Sequence, residues 1–184
     1  MIRLLAAFLL VSILAGCQTR PKLHLLFGVG AIHAPIQGKD LLAEIQAVRG
    51  EVDTAGLTGL PQRYGRLDLG LEVYGGITFR PRSGHFEGVT PFLRYTYPLT
   101  DRFASYVEAG AGPAILGLTT HEQEKSGFAF HDQVGAGVVI QLGGGMSLLI
   151  GYRFSHISHG GVRGTRNRGI EASSISAWLS FTFP

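Results

Sequence analysis

Apolar and polar residues alternate over long stretches of the chain, with the period of two that is typical of β-strands. The alternation is clearest over 67–80, where leucine, valine, isoleucine and phenylalanine share one parity and Asp68, Glu72 and Arg80 share the other. Breaks rich in glycine, proline and charged residues separate such segments. The pattern predicts eight strands, at about 24–33, 41–50, 67–80, 86–97, 103–118, 128–142, 146–158 and 171–183.

The predicted strands are even in number, and each can cross a bilayer at a tilt of roughly 40°. Several carry charges in mid-strand on the polar face, where they can pair across the lumen of a small barrel: Glu72, Arg94, Glu108 and Arg153. A soluble antiparallel sandwich also alternates. Strand length, these charges and the export signal described next favour an all-β fold, an eight-stranded antiparallel transmembrane β-barrel of the outer-membrane type. The aromatic ending Trp178–Phe183 also resembles the last strand of such barrels.

The N-terminus has the pattern of an export signal. Arg3 precedes an apolar run that ends at Ala15 and is shorter than the ~20 residues of a spanning helix. Leu14–Cys17 resembles a bacterial lipobox, whose cysteine is acylated; simple cleavage near a chance cysteine is the alternative. We expect a signal peptide at 1–17, a linker at 18–23 and the barrel at 24–184. Since Cys17 is the only cysteine, an intramolecular disulfide is excluded.

Composition narrows the possible partners. Only 16% of the residues are charged, against about a quarter in soluble domains, and the net charge is +3. No basic cluster with interleaved aromatic residues favours nucleic acid. The histidines show no metal-ligand spacing and no phosphate-binding glycine loop is present, so we expect neither a metal nor a cofactor. The membrane is the expected partner.

The last two strands carry the candidate chemistry. From Met146 the even positions are apolar until His156 and Ser158, and the apolar face of the next strand begins with Glu171. Serine, histidine and a carboxylate on one surface are the parts of an activated-nucleophile site. Ser155 has the opposite parity and points to the lumen. The alternative is a polar pair at a strand end.

Turn lengths predict where this surface lies. The link Gly143–Gly145 is tight, whereas the links after strands three, five and seven read as longer and more polar, and short turns of outer-membrane barrels face the periplasm. The twelve steps from Met146 to Ser158 then climb roughly 30 Å, beyond an apolar band about 25 Å tall. The candidate site is expected at the outer-leaflet boundary.

The segments Arg153–Gly161 (RFSHISHGG) and Asn167–Glu171 (NRGIE) resemble the signature of bacterial lipid A 3-O-deacylases, the PagL family. A weaker similarity extends upstream to about residue 66. The resemblance implies an eight-stranded outer-membrane barrel that cleaves the 3-position acyl ester of lipid A. It implies Ser158 as nucleophile, His156 as general base and acid, and Glu171 as the carboxylate that orients the histidine.

Around this triad the resemblance implies oxyanion or supporting roles for His159, Gly161 and Asn167. His159 stands where the family has an asparagine thought to help form the oxyanion hole, and losing one such donor costs ~100–1000-fold in turnover. Three loop arginines are candidates to hold lipid A phosphates or form a solvated basic loop: Arg163, Arg166 and Arg168. If Leu142 pairs with Met146, Asp132 lies beside His156. Asp132 then either tunes that histidine or is an interface carboxylate without a functional role.

We therefore predict an outer-membrane serine esterase of a Gram-negative bacterium that removes the 3-O-linked acyl chain of lipid A in the outer leaflet. An acylated Cys17 would add a lipid anchor. Two alternatives stay open: a non-catalytic structural or adhesion barrel with a decayed site, and a general outer-leaflet lipid esterase or phospholipase.

Overall fold

The computed structural model describes residues 22–36, 39–54, 61–120, 122, 126–162 and 168–183. The predicted signal peptide, most of the linker and Cys17 lie outside the described residues. So do three residues of the predicted site, Arg163, Arg166 and Asn167.

Eight antiparallel strands form a closed barrel in which each pairs with its sequence neighbours and the first pairs with the last. The predicted fold class is thus confirmed. The strands are β1 Leu23–Ile36, β2 Lys39–Asp53, β3 Arg66–Arg80, β4 Gly84–Pro98, β5 Phe103–Leu116, β6 Gly127–Gly143, β7 Met146–Ser158 and β8 Ile170–Phe183. A three-residue 3-10 helix, Gln62–Tyr64, lies between β2 and β3. Among the described residues, no helix is long and apolar enough to span a membrane.

The links differ from the prediction at two places. The link after β3 is only 81–83, because the ladder with β4 continues to Thr78 and Gly84; a longer loop was expected there and the expectation is wrong. The β1 and β2 strands run further than predicted and leave only 37–38 between them. We call the end where β7 stops and β8 starts the site end, and the end with the Gly144–Gly145 turn the opposite end.

The outer wall of the barrel is apolar and its lumen is largely polar. Large apolar side chains stand exposed on every strand, for example Val29, Leu71, Val107, Val134 and Ile150. The residues between them are buried in the lumen. This inverted distribution is that of a barrel whose outer surface contacts lipid.

A network of four charged side chains fills the middle of the lumen. Arg49 binds Glu72 at 2.6 Å and Glu108 at 2.8 Å, and Arg153 binds the same two carboxylates at 3.0 Å each. The Trp178 ring lies 3.9 Å from the Arg49 guanidinium carbon. The predicted pairing of mid-strand charges across the lumen is confirmed, and Arg49 is a member that the sequence reading missed.

The fourth predicted mid-strand charge, Arg94, lies nearer the opposite end, where it pairs with Glu51. Towards the site end the lumen is instead apolar, with Leu41, Ala43 and Phe86 among its buried residues. The polar and apolar parts of the lumen are therefore separated along the barrel axis.

Candidate active site

The histidine and the carboxylate of the predicted site lie opposite each other on neighbouring strands. His156 of β7 pairs with Glu171 of β8, and Ser158 is the last residue of β7. Directly opposed residues of an antiparallel pair have Cβ atoms about 4.5–5.5 Å apart. Residues two apart on one strand project from the same face. The register thus brings the three predicted side chains together on one surface.

That surface is the outer wall. Glu171 is exposed and His156 and Ser158 are half-exposed, in line with the exposed rings of Tyr152 and Phe154 below them on β7. Within the described part of the chain the three side chains are neighbours by register, with no hydrogen bond joining them. Any contact among these side chains therefore depends on the rotamers that they adopt and on the bound substrate.

Ser155, the neighbouring serine on β7, has the opposite orientation. It is 7% exposed and pairs with Gln133, a buried lumen residue. Its predicted position in the lumen is confirmed, which leaves Ser158 as the serine of this strand end that shares a face with His156.

A second carboxylate flanks the histidine. Asp132 of β6 is the direct partner of His156 and is exposed on the same wall. The expected contact of Leu142 with Met146 is replaced by Gly143 with Met146, because the ladder shifts by one residue beside the glycine turn. From this bulge to the site end, β6 and β7 pair in the expected register. His156 therefore stands in a row between Asp132 and Glu171.

The backbone at Gly169 closes over the histidine ring. Gly169 has φ of +73° and is buried, and a Cβ built on it would meet the Cε1, Nε2 and Nδ1 atoms of His156. Only glycine combines this backbone conformation with this close approach at low cost. Sequence reasoning assigned this residue no role, although it stands two positions before Glu171 within the quoted NRGIE segment.

The turn after Ser158 is built from His159, Gly160 and Gly161. Both glycines have φ in the left-handed region, +59° and +79°, and the Val162 N–H donates to the His159 carbonyl at 3.0 Å. The His159 side chain is 1% exposed, whereas Ser158 is half-exposed. The two neighbours thus differ in their access to the outer surface, and the oxyanion role of His159 stays a prediction.

Of the three predicted loop arginines, only Arg168 is described. Its side chain is exposed, and its backbone N–H donates to the Glu122 carbonyl at 3.2 Å, which ties the β7–β8 link to the β5–β6 link. In the described ranges no three His, Cys, Asp or Glu side chains are grouped to hold a metal ion.

Comparisons with known proteins place the chain in a family. The family model described as Lipid A 3-O-deacylase (PagL) matches residues 52–180. No curated protein sequence matches the chain.

Solved structures with the same fold include the outer-membrane enzyme PagL, at 21% identity and a TM-score of 0.62 over 84% of this chain and 97% of that one. Neisserial surface protein A matches with 11% identity and a TM-score of 0.65, over 88% and 97% of the two chains. Ail of Yersinia pestis, in complex with a heparin analogue, matches with 10% identity and a TM-score of 0.55, over 90% and 100%. These likenesses show an outer-membrane barrel fold, and the family match covers most of that barrel. The chain therefore belongs to the lipid A 3-O-deacylase (PagL) family.

Proposed function

We propose that the protein hydrolyses the 3-O-linked acyl ester of lipid A in the outer leaflet of the outer membrane. The observation that carries the proposal is the position of His156, Ser158 and Glu171 on the lipid-facing wall. A site for a water-soluble substrate would gain nothing from that location. Membership of the deacylase family supports the same substrate class.

In the proposed reaction the Ser158 hydroxyl attacks the ester carbonyl while His156 takes its proton. The tetrahedral intermediate collapses, the bond to the sugar oxygen breaks, and His156 returns the proton to that oxygen. Water then attacks the acyl-serine with His156 again as base, which releases the fatty acid and restores Ser158. Glu171, directly opposite His156, orients the ring and stabilises the imidazolium.

Developing negative charge on the carbonyl oxygen needs hydrogen-bond donors. The glycine turn directly after Ser158 supplies backbone N–H groups close to the nucleophile in sequence. We assign the oxyanion and supporting roles to this turn, including His159 and Gly161, together with Asn167. Arg163, Arg166 and Arg168 follow in the same link and are our candidates for binding lipid A phosphates.

We also propose that the site end faces outward. Strand β7 is thirteen residues long, enough to raise His156 and Ser158 to the boundary of the apolar band, where the ester bonds of outer-leaflet lipid A lie. The long links of residues 117–126 and 159–169 are at this end, while the β4–β5 and β6–β7 turns at the opposite end are short. Three links depart from that pattern: the long β2–β3 link of residues 54–65 at the opposite end, and the short links 37–38 and 81–83 at the site end.

Mass spectrometry of lipid A from cells expressing the wild type, Ser158→Ala and Ser155→Ala tests the proposal. The wild type and Ser155→Ala are expected to yield lipid A lacking one 3-linked acyl chain. Ser158→Ala is expected to leave lipid A intact, with the barrel folded and inserted to the same level.

Two results would contradict the proposal. Intact lipid A with a folded wild-type barrel would favour a non-catalytic barrel. Release of fatty acid from phospholipid with lipid A unchanged would favour a general outer-leaflet esterase.

A further inference from the structure

At the opposite end of the barrel, away from the triad, the lumen contains a polar cavity of about 80 Å³. Its wall includes two arginines, a histidine and several hydroxyls: Arg66, Arg94, His24, Thr96, Ser180 and Thr182. A single water needs about 10–15 Å³ measured in this way, so the cavity is several times larger than one water site. All of these side chains belong to strands of the closed barrel, which makes the cavity a fixed feature of the fold.

Arg94 presents hydrogen-bond donors to this cavity that the protein does not use. Its side chain is 2% exposed, and Glu51 accepts from its Nη2 group. Among the residues that the structure describes, Nε and Nη1 have no hydrogen-bond partner. Buried N–H groups of a guanidinium are costly to leave unpaired, which indicates that something in the cavity accepts from them.

Two other polar groups on the cavity wall are also buried without a hydrogen-bond partner in the described chain. His24 shares a hydrogen bond with Thr182 through Nδ1 at 3.0 Å, while its Nε2 is buried without a partner in the described chain. The hydroxyl of Thr96 is likewise unpaired within the described ranges. Unpaired polar groups on β1 and β4 thus converge on one small volume.

The donors that line the cavity favour an anion, and the balanced charge around it limits the affinity to a modest one. Arg66 is paired with Asp68 at 2.9 Å and Arg94 with Glu51, so the local charge is balanced when His24 is neutral. The described residues that line the cavity include two arginines and no carboxylate, a set that offers a cation no charged ligand. The planar fork of a guanidinium matches the oxygens of a phosphate or a carboxylate, and the remaining hydroxyls can add donors.

We propose that this cavity is a binding site for a small oxyanion, with inorganic phosphate as the probe of its chemistry. Bound there, the oxyanion would accept from Arg94 and Thr96 and link β1 to β4 across the lumen. This site is independent of the proposed hydrolysis, because its residues lie at the other end of the barrel.

Thermal unfolding of the full chain, refolded in neutral phosphatidylcholine vesicles, tests the proposal. Phosphate, acetate and chloride are compared at equal ionic strength. At phosphate ten times its dissociation constant the midpoint is expected to rise by about 3–5 °C over chloride. The acetate arm shows whether a planar carboxylate binds as well as a tetrahedral anion.

Thr96→Val removes one donor with little change in shape and is expected to lose most of the phosphate-dependent rise. Thr90→Val is the matched control on the same strand, since Thr90 is buried in the lumen but does not line the cavity. His24→Gln is the second variant if Thr96→Val does not fold. Equal midpoints in phosphate and chloride for the wild type would overturn the proposal in favour of a water-filled cavity. An equal rise in wild type and variants would overturn it in favour of binding elsewhere.

Discussion

The two charged groupings of this barrel, one in the lumen and one on the outer wall, use similar residues in opposite ways. In the lumen, Arg49 and Arg153 face Glu72 and Glu108, and bonds of 2.6–3.1 Å join the balanced charges. Outside, a single imidazole stands between two carboxylates, without a hydrogen bond among them in the described chain.

This difference in hydrogen bonding indicates which of the two groupings is suited to proton transfer. A balanced set of buried charges joined by hydrogen bonds stabilises the barrel, and moving a proton within it would leave an uncompensated buried charge. On the outer wall two carboxylates, Asp132 and Glu171, flank one imidazole, which is the base and acid of the proposed reaction. We therefore expect changes in the lumen to affect stability and changes in the outer row to affect turnover.

Replacing the outer histidine has the largest expected effect. His156→Gln should lower lipid A deacylation about 10⁴-fold or more, because the base and acid of the proposed reaction are lost, while the unfolding midpoint stays near that of wild type. The control is His131→Gln in the lumen, where His131 bonds the Tyr74 hydroxyl at 2.8 Å. It should cost about 1–3 kcal/mol of stability with turnover per folded molecule nearly unchanged. A reversed pattern would contradict the comparison.

Breaking the lumen network should give the opposite phenotype. Glu72→Gln removes the charge that both Arg49 and Arg153 contact and should destabilise the barrel by about 3–5 kcal/mol in urea unfolding. Deacylation per folded molecule should stay within a few-fold of wild type. Glu44→Gln on β2, whose side chain is only half-buried, is the control and should be almost silent in both assays. A large loss of turnover in folded Glu72→Gln would show that the two groupings are coupled.

Gly169→Ala tests whether the outer histidine must be held in place. The new Cβ would displace the His156 ring, and we expect turnover to fall about 10–100-fold from misplacement of the base. Gly144→Ala is the control, because it has a similar φ of +61° with nothing within 4 Å of the new Cβ. Both should lose about 1 kcal/mol of stability through backbone strain, but only Gly169→Ala should lose turnover.

The smallest expected effect is that of the second carboxylate. Asp132→Asn should reduce turnover about 2–10-fold, because it removes one of the two carboxylates beside the base of the proposed reaction while Glu171 remains. Glu87→Gln, an exposed carboxylate on β4, is the control and should have no effect. An effect of Asp132→Asn as large as that of Glu171→Gln would mean that both carboxylates, and not Glu171 alone, orient His156.

The sequence predicts the features of this structure that depend only on the alternation of side chains between the two faces of a strand. Alternation alone places His156 and Ser158 on the outer wall and Ser155 in the lumen, and the tight glycine turn leads correctly to Asp132 beside His156. The clash of a side chain at Gly169 with His156 could not be read in this way, because it depends on the path of the chain into β8.

The missed lumen charges have a different cause. The inward face of β2 begins with Leu41, Ala43 and Ile45 and becomes charged only at Arg49 and Glu51. The inward side chains in the first half of β2 are as apolar as those of a lipid-facing surface. The alternation along β2 therefore does not show which of its faces points into the lumen. The charges are recognisable only once β3, β4 and β5 bring Glu72, Arg94 and Glu108 to them in the closed barrel.

The proposed function requires Ser158 to be an activated nucleophile on the outer wall. A long-chain alkyl fluorophosphonate, added to the folded barrel in vesicles and followed by peptide mass spectrometry, tests it without assuming the substrate. We expect one phosphonate per chain on the peptide carrying Ser158, and none in His156→Gln. A folded barrel that stays unmodified at Ser158, or that reacts at Ser155 instead, would contradict it.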